Sequence, residues 1–312
     1  MQRAFTMAEI LLSLTIIGVV AAITLPSLTG NINERTWNTQ RKALYARMSQ
    51  AISLMPALNG YGTLVEGDDS TSAVDTAAET FITDGLSKVI KINNICDNTH
   101  LEDCGLPDKI IPINNATNIN LTDIATLRGL NSYFNSSAGI TLDTKAAAFE
   151  TQNGESILAY YNPKCVAYMD ETSYQPQSKM CANFIYDLNG KKGPNTVGKD
   201  IGFMTIFYPT DPVVVAPIPT QVAAAIGVKQ FEADAFCRNQ NAESRLPNKD
   251  ELSSIFFNKQ LYDSNQSGGY WSNTRFYSSG AEQGWHQNFQ IGNGYLSIIS
   301  RDHPLACICV KR

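Results

Sequence analysis

A single charged residue, Glu9, interrupts the apolar segment at the start of the chain, and this segment constrains the fold more than any other feature. No other charge occurs between Ala4 and Thr29. As a helix, the apolar run from Ile10 to Leu28 would be roughly 28 Å long, about the thickness of a bilayer's hydrocarbon core. A carboxylate at the edge of such a helix is costly unless another group pairs with it. Because the nearby sequence offers no evident partner, we expect the partner to be another molecule.

Three interpretations of this segment compete. A secretory signal peptide needs an unbroken apolar centre and a small-residue cleavage site, which Glu9 and Pro26 do not fit. A plain membrane anchor explains the length and, with the positive charge of Arg3, a cytoplasmic N-terminus, but it leaves the glutamate unexplained. A buried helix of a soluble protein is rarely apolar on every face.

The residues from Ala4 to Glu9, followed by the apolar run and Pro26, resemble the N-terminus of type IV pilins and of the pseudopilins of type II secretion. The resemblance implies that a prepilin peptidase cleaves between Ala4 and Phe5, although Ala4 replaces the family's usual glycine, and that the new amine of Phe5 is N-methylated. It also implies that Glu9 neutralises the terminal amine of an adjacent subunit during filament assembly, with Pro26 loosening the helix. The alternative is a glutamate at the membrane surface with no partner.

Beyond the apolar run, apolar residues recur at helical spacing: Leu44, Met48, Ala51, Ile52 and Met55. We predict one helix from Phe5 to about Met55, whose second half packs on a globular head. The predicted domains are a leader (1–4), the helix (5–58, with 5–28 in the membrane or filament core), a pilin head (59–210), a Pro-rich linker (211–220) and a last domain (221–312). Within the head, 156–161 and 182–186 are predicted strands and 86–93 a short helix.

The last domain is predicted to begin with a helix over 220–239. Asn248 is a plausible N-cap of a second helix, with Asp250 and Glu251 in its first turn. The order of the segments 245–252, 269–274, 284–289 and 309–312 resembles C-type-lectin-like modules across residues 222–312. The predicted fold class is therefore α+β: a long N-terminal α-helix packed on a β-sheet pilin head, followed by a C-type-lectin-like α+β domain.

A lectin-like module raises the question of a glycan or surface ligand. The triplets Glu-Pro-Asn and Gln-Pro-Asp of sugar-binding members are absent. Exposed aromatic contacts are one interpretation of several large side chains: Tyr270, Trp271, Tyr277, Trp285 and Tyr295. For Trp271 and Trp285 we favour core positions, because large aromatic residues in strands are usually buried.

Seven cysteines, all beyond the apolar segment, suit disulfides in an oxidising exterior. Plausible local pairs are Cys96–Cys104 and Cys165–Cys181. Cys237–Cys309 would join the start of the last domain to its end, which leaves Cys307 over. Sequence alone does not fix this connectivity.

A glycine-rich turn follows the strand at 184–186 and carries four oxygen-bearing side chains: Asp187, Asn189, Asn195 and Asp200. It resembles a turn near the end of many pilin-like heads. Hard oxygen ligands on a loop suit a structural Ca²⁺ ion, the one cofactor that we consider. The equally weighted alternative is a turn in which Asn and Asp side chains bond to their own backbone.

Nothing in the sequence indicates catalysis: the three histidines are scattered, and no phosphate loop or nucleophile motif occurs. A net charge of −5 argues against a nucleic-acid partner. The resemblance implies a structural subunit of a type IV pilus-like filament, held in the inner membrane before assembly and extracellular afterwards. Its partners would be identical or related pilin subunits and the prepilin peptidase. The alternatives are a minor tip subunit that acts as an adhesin and a type II secretion pseudopilin.

Overall fold

A computed structural model describes residues 7–59, 77–113, 118–121, 146–167, 179–208, 219–240, 243–258, 261, 268–278, 280–289 and 296–311. The chain divides into two compact units, residues 1–44 and 45–312. The first unit is helical where it is described, and the second contains two β-sheets.

The helix α1, Met7–Asn59, contributes to both units. In the first unit, the side chains of 11–20 are all exposed. In the second unit, the predicted apolar stripe is buried, with Met48, Ala51, Ile52 and Met55 at most 3% exposed. Residues at this spacing share one helix face, so this part of α1 packs into the core of its unit. Among the described residues, no helical stretch combines the length and the apolarity needed to cross a bilayer.

The first sheet is an antiparallel meander whose five strands neighbour each other in chain order. Its strands are β1 (Ile92–Cys96), β2 (Ala146–Thr151), β3 (Ser156–Ala167), β4 (Lys179–Asp187) and β5 (Ile201–Tyr208). The predicted strands at 156–161 and 182–186 lie in β3 and β4 and are confirmed. The sheet is preceded by a short helix α2 (Ala77–Thr80), a π-helical turn (Phe81–Gly85) and a 3-10 turn (Leu86–Lys88). The predicted helix over 86–93 is therefore present only as this 3-10 turn and is wrong beyond Lys88, because β1 begins at Ile92.

The second sheet has six described strands: β6 (Pro219–Val228), β7 (Ser244–Arg245), β8 (Gly269–Ser278), β9 (Ala281–Asn288), β10 (Leu296–Ser300) and β11 (Leu305–Lys311). The order is β10-β9-β8-β11-β6, with β7 also paired to β11, and β8 runs parallel to β11. Two helices, α3 (Gln230–Gln240) and α4 (Lys249–Phe257), connect the early strands. The predicted helix over 220–239 is wrong in its first half, which pairs with β11 as β6.

One hydrophobic core includes side chains from both sheets and from α4. The first sheet contributes Leu158 and Phe203, α4 contributes Phe256, and the second sheet contributes Tyr270 and Ile308. The apolar side chains of α4 are thus buried together with those of both sheets. Both sheets bury apolar side chains in this one cluster and so remove them from water, which means that the sheets share one core.

Four buried polar residues add a specific connection between the first sheet and α4. The side-chain amides of Asn183 on β4 and Asn258 after α4 bond each other reciprocally, at 2.8 Å and 3.1 Å. Thr205 donates to Asn183 Oδ1 at 3.0 Å and contacts the hydroxyl of Ser254. All four residues are at most 2% exposed. Because buried polar groups must find partners, this network selects one arrangement of α4 on the sheet.

The predicted fold class is therefore wrong. It assumed a long helix packed on a pilin head and a separate lectin-like domain after it, whereas the structure is dominated by two β-sheets with a common core. Only the part of α1 from Tyr45 onward belongs to their compact unit. The physical reason is that the apolar stripe covers only the last turns of α1, while residues 11–20 have no single apolar face. The predicted linker 211–220 lies mostly outside the described residues, and Pro219 already begins β6.

Candidate functional site

The residues predicted to direct filament assembly are only partly described. Ala4 and Phe5 lie outside the described residues. Glu9 and Pro26 lie in α1, but their side chains are outside the description. Next to Glu9, the helix presents seven apolar side chains that are each more than half exposed: Leu11, Leu12, Leu14, Ile16, Ile17, Val19 and Val20. These seven residues, which we call the apolar segment of α1, point in all directions around the helix.

The turn between β4 and β5 gathers all four residues that were predicted as cation ligands. Asp187 ends β4, and Asp200 directly precedes β5. Both carboxylates are completely buried. Between them, the chain forms a 3-10 turn at Gly190–Lys192 and places Asn195 at φ 51°. A positive φ is tolerated best by Gly, Asn and Asp, which explains an asparagine at this corner.

Asp200 holds the second half of this turn together. Its two oxygens accept hydrogen bonds from the backbone N–H groups of Asn195 and Thr196, each at 2.8 Å. Its carbonyl also accepts from the N–H of Leu188 at 3.0 Å. The side chain therefore performs the backbone-bonding role of the second interpretation, in which Asx residues stabilise their own turn.

Three side-chain oxygens of the same turn are buried without a hydrogen-bond partner in the described part of the chain: Asp187 Oδ2, Asn189 Oδ1 and Asn195 Oδ1. The amide of Asn189 is oriented, because its Nδ2 donates to the carbonyl of Gly193 at 2.8 Å. Asp187 Oδ1 accepts from the N–H of Asn189 at 3.0 Å, so only its second oxygen remains. Buried acceptors left without donors are costly, and here three of them lie in one turn.

The protonation of Asp187 reflects the same shortage of partners. The pKa of its carboxyl is raised from 3.8 to about 7. Burial is the main cause and the negative charge of Asp200 adds to it, while the backbone N–H groups of Asn189 and Gly190 act in the opposite direction. The turn thus offers two carboxylates and two amide oxygens, which are the kind of ligand that Ca²⁺ prefers. A divalent cation would supply the missing positive charge and partners for the three oxygens.

Two of the three predicted disulfides are present. Cys96 is bonded to Cys104 and Cys237 to Cys309. Cys181 is also disulfide-bonded, but the side chain of Cys165, its predicted partner, lies outside the description. Cys307, the residue left over in the sequence, is buried and belongs to no disulfide.

The aromatic residues of the second sheet are mostly core. Trp271 and Trp285 are at most 3% exposed, which confirms the prediction for both, and Tyr270 is equally buried. Trp271 donates from Nε1 to the carbonyl of Val228 at 2.8 Å. Tyr277 is exposed, and Tyr295 lies outside the described residues. Of these five aromatic residues, Tyr277 is the one that the described part of the chain shows as exposed.

The role of Arg245 and Glu251 was missed by sequence reasoning. The predicted N-cap, Asn248, is confirmed, and it forms a full capping box with Glu251. In addition, both oxygens of Glu251 accept from the Arg245 guanidinium, each at 2.7 Å. This ion pair fixes the segment before α4 to the first turn of the helix. The Arg-x5-Glu spacing on either side of the N-cap could have predicted the pair.

Comparisons with known protein families, with characterised proteins and with solved structures give no match.

Proposed function

We propose that this chain is a subunit of an extracellular filament of the type IV pilus class and that it assembles through the apolar segment of α1. The observation that carries the proposal is the exposure of those seven side chains on every side of one helix. Leaving one such side chain in water costs about 1.5–3 kcal/mol, so seven in water would cost roughly 10–20 kcal/mol per subunit, and the segment needs a bilayer before assembly and other subunits afterwards. A second copy of the same segment is an apolar partner of matching length.

The sequence beside the segment supports the same assignment. Cleavage between Ala4 and Phe5 would create an amine, methylated on Phe5, four residues before Glu9. Between neighbouring copies, that amine and the Glu9 carboxylate would neutralise each other. Removing one member of a desolvated pair costs about 3–5 kcal/mol, so the pair would fix the register between subunits. In this proposal the subunit waits in the inner membrane and becomes extracellular on assembly.

The test is the variant Glu9→Val, with Glu34→Val on the same helix as its matched control. Glu34 is exposed and lies beyond the apolar segment. We expect Glu9→Val to reach the membrane fraction normally and to lose most sheared filament, seen by electron microscopy and immunoblotting, whereas Glu34→Val should assemble. Normal filament yield from Glu9→Val would refute the pairing. Mass spectrometry of sheared filaments gives the N-terminus, which should be methylated Phe5, and the abundance of the subunit, which separates a major subunit from a tip adhesin.

A second proposal concerns the β4–β5 turn: it binds one structural Ca²⁺ through Asp187, Asn189, Asn195 and Asp200. The three buried oxygens without partners support it. Calcium at a hundred times its dissociation constant should stabilise the fold by about 2.7 kcal/mol. Thermal unfolding of the full chain with Ca²⁺ or with a chelator measures this. Asp187→Asn should abolish the difference and Asp108→Asn, an exposed aspartate, should keep it. If the unfolding temperature of the unmodified chain is the same in calcium and in chelator, the turn is held by its own hydrogen bonds alone.

A further inference from the structure

Three cysteine sulfurs meet beneath α3. Cys307 and Cys309 are two residues apart on β11, so their side chains point to the same face of the second sheet. Cys237 lies near the end of α3, which covers that face. All three residues are fully buried, and their sulfur atoms lie within 4.8 Å of one another. Only Cys237 and Cys309 are bonded to each other.

We propose that these cysteines form an internal thiol–disulfide exchange site, in which Cys237 is bonded to Cys309 in one isomer and to Cys307 in the other. Cys307 loses its proton, and its thiolate attacks Sγ of Cys237. The Cys237–Cys309 bond breaks, its electron pair leaves on Cys309, and Cys309 takes up a proton. These three cysteines keep one disulfide and one thiol throughout, so the exchange needs no external oxidant or reductant.

The attack is directed at Cys237 rather than at Cys309. Two residues of one strand are about 6.6–6.8 Å apart at Cα, which is at the upper limit for a disulfide. A Cys307–Cys309 bond would therefore require a distorted β11. The existing Cys237–Cys309 bond spans 5.3 Å between its Cα atoms, across the contact of helix and strand. Because Cys307 lies on the same face one strand repeat away, it can take the place of Cys309.

The two ends of α3 are held differently, and this allows the helix to follow the exchange. At its start, Gln230 donates from Nε2 to the carbonyl of Ser272 at 2.7 Å and accepts at Oε1 from Arg301 at 2.6 Å. At its end, the three residues after Cys237, 238–240, are exposed. These three residues are not buried, so they place little restraint on a shift of this end along β11, and the two isomers are two states of one chain.

The exchange gives the second sheet two covalently distinct forms of one chain. In both forms α3 stays tethered to β11, but its end is held at positions two residues apart. The same arrangement keeps the tether when Cys309 carries the thiol, because Cys237 is then bonded to Cys307 and a modification of the Cys309 thiol leaves that disulfide intact. Because all three sulfurs are buried, the exchange takes place without access for an external thiol.

The first test uses the full chain with Cys309→Ser, and with Cys307→Ser as its matched control. After purification under oxidising conditions, the chain is alkylated in acid and digested with trypsin without reduction. Cys237 then lies in peptide 230–238, and both β11 cysteines lie in peptide 302–311. We expect Cys309→Ser to contain a Cys237–Cys307 disulfide and Cys307→Ser to retain Cys237–Cys309. Two alkylated thiols in a Cys309→Ser chain that is otherwise folded, with Cys96–Cys104 intact, would overturn the proposal.

The second test uses the unmodified chain, so it holds even if Cys309→Ser does not fold. The folded protein is incubated at mildly alkaline pH, where thiolates form, then quenched in acid, unfolded and alkylated. Fragmentation of peptide 302–311 between the two cysteines shows which of them carries the alkyl group. We expect alkylated Cys309 in a minor fraction of chains, on the order of a few per cent. Alkylation of Cys307 alone at every incubation time would refute exchange in the native protein.

Discussion

Asn183→Ala removes one half of the buried amide pair that joins the first sheet to α4. Three hydrogen bonds are lost: the two reciprocal bonds with Asn258 and the bond that Thr205 donates to Asn183 Oδ1. The other groups keep a partner, because Asn258 Nδ2 also donates to the carbonyl of Ser254 at 2.8 Å and Thr205 still contacts the Ser254 hydroxyl. The Oδ1 of Asn258 keeps none, and Asn258 is 2% exposed.

The expected loss follows from that one stranded acceptor. A buried acceptor without a donor costs about 1–3 kcal/mol, and the small cavity left by the amide adds to this. We therefore expect the free energy of unfolding to fall by about 2–4 kcal/mol, a large part of the 5–15 kcal/mol typical of a folded domain.

Urea unfolding of the full chain in mild detergent, followed by tryptophan fluorescence, measures the change. In a Trp37→Phe background, the two remaining tryptophans, Trp271 and Trp285, lie in the second sheet. Asn183 lies in the first sheet, so these tryptophans report whether the damage crosses the shared core. Asn153→Ala, an exposed asparagine in the β2–β3 turn, is the control and should change stability by less than about 0.5 kcal/mol.

The double variant Asn183→Ala with Asn258→Ala provides the decisive comparison. Once both amides are absent, no acceptor is stranded, so the double variant should lose less stability than the two single variants together, by roughly 1–3 kcal/mol. Additive losses, or a second-sheet transition that does not respond to Asn183→Ala, would contradict the reciprocal pair and the common core.

The remaining predictions concern two carboxylates. In chelator, stability should fall as the pH rises from 3.8 to about 7, because the folded state, with the raised pKa of Asp187, binds more protons there than the unfolded state. The slope should reach at most about 1.4 kcal/mol per pH unit in urea unfolding, and a slope that persists in Asp187→Asn would assign it to another group. Glu251→Gln should lose about 1–3 kcal/mol in the same assay, since it weakens both the capping box and the pair with Arg245. Glu243→Gln, in an exposed pair with Lys311, should be nearly neutral, and equal losses from both would contradict the buried role of Glu251.

Features set by neighbouring residues were predictable from the sequence. The N-cap at Asn248 depends on side chains within three positions, and the strands at 156–161 and 182–186 show local β-preference. The Cys96–Cys104 bond closes a loop of only eight residues. The four residues of the β4–β5 turn lie in one turn because they are close in sequence, while their role as cation ligands stays a prediction.

Features decided by distant residues were missed. The run 222–225 suits a helix or a strand, and its pairing with β11, more than eighty residues later, makes it part of β6. The Asn183–Asn258 pair joins residues 75 positions apart, and neither position is distinguished in the sequence. The proline-rich segment suggested independent domains, whereas the apolar side chains of α4 are buried in the same cluster as those of both sheets. Local patterns cannot show which sheet faces share a core.

The Cys237–Cys309 bond also determines how the chain would carry mechanical load. The bond joins residues 72 positions apart, so tension applied to the ends of the chain passes through two sulfurs and bypasses the strands between them. A segment of that length would extend to about 240 Å if it were pulled straight, and the disulfide prevents this extension. Exchange of Cys309 for Cys307 would shorten the segment enclosed by the disulfide by only two residues, so either isomer would limit extension almost equally well.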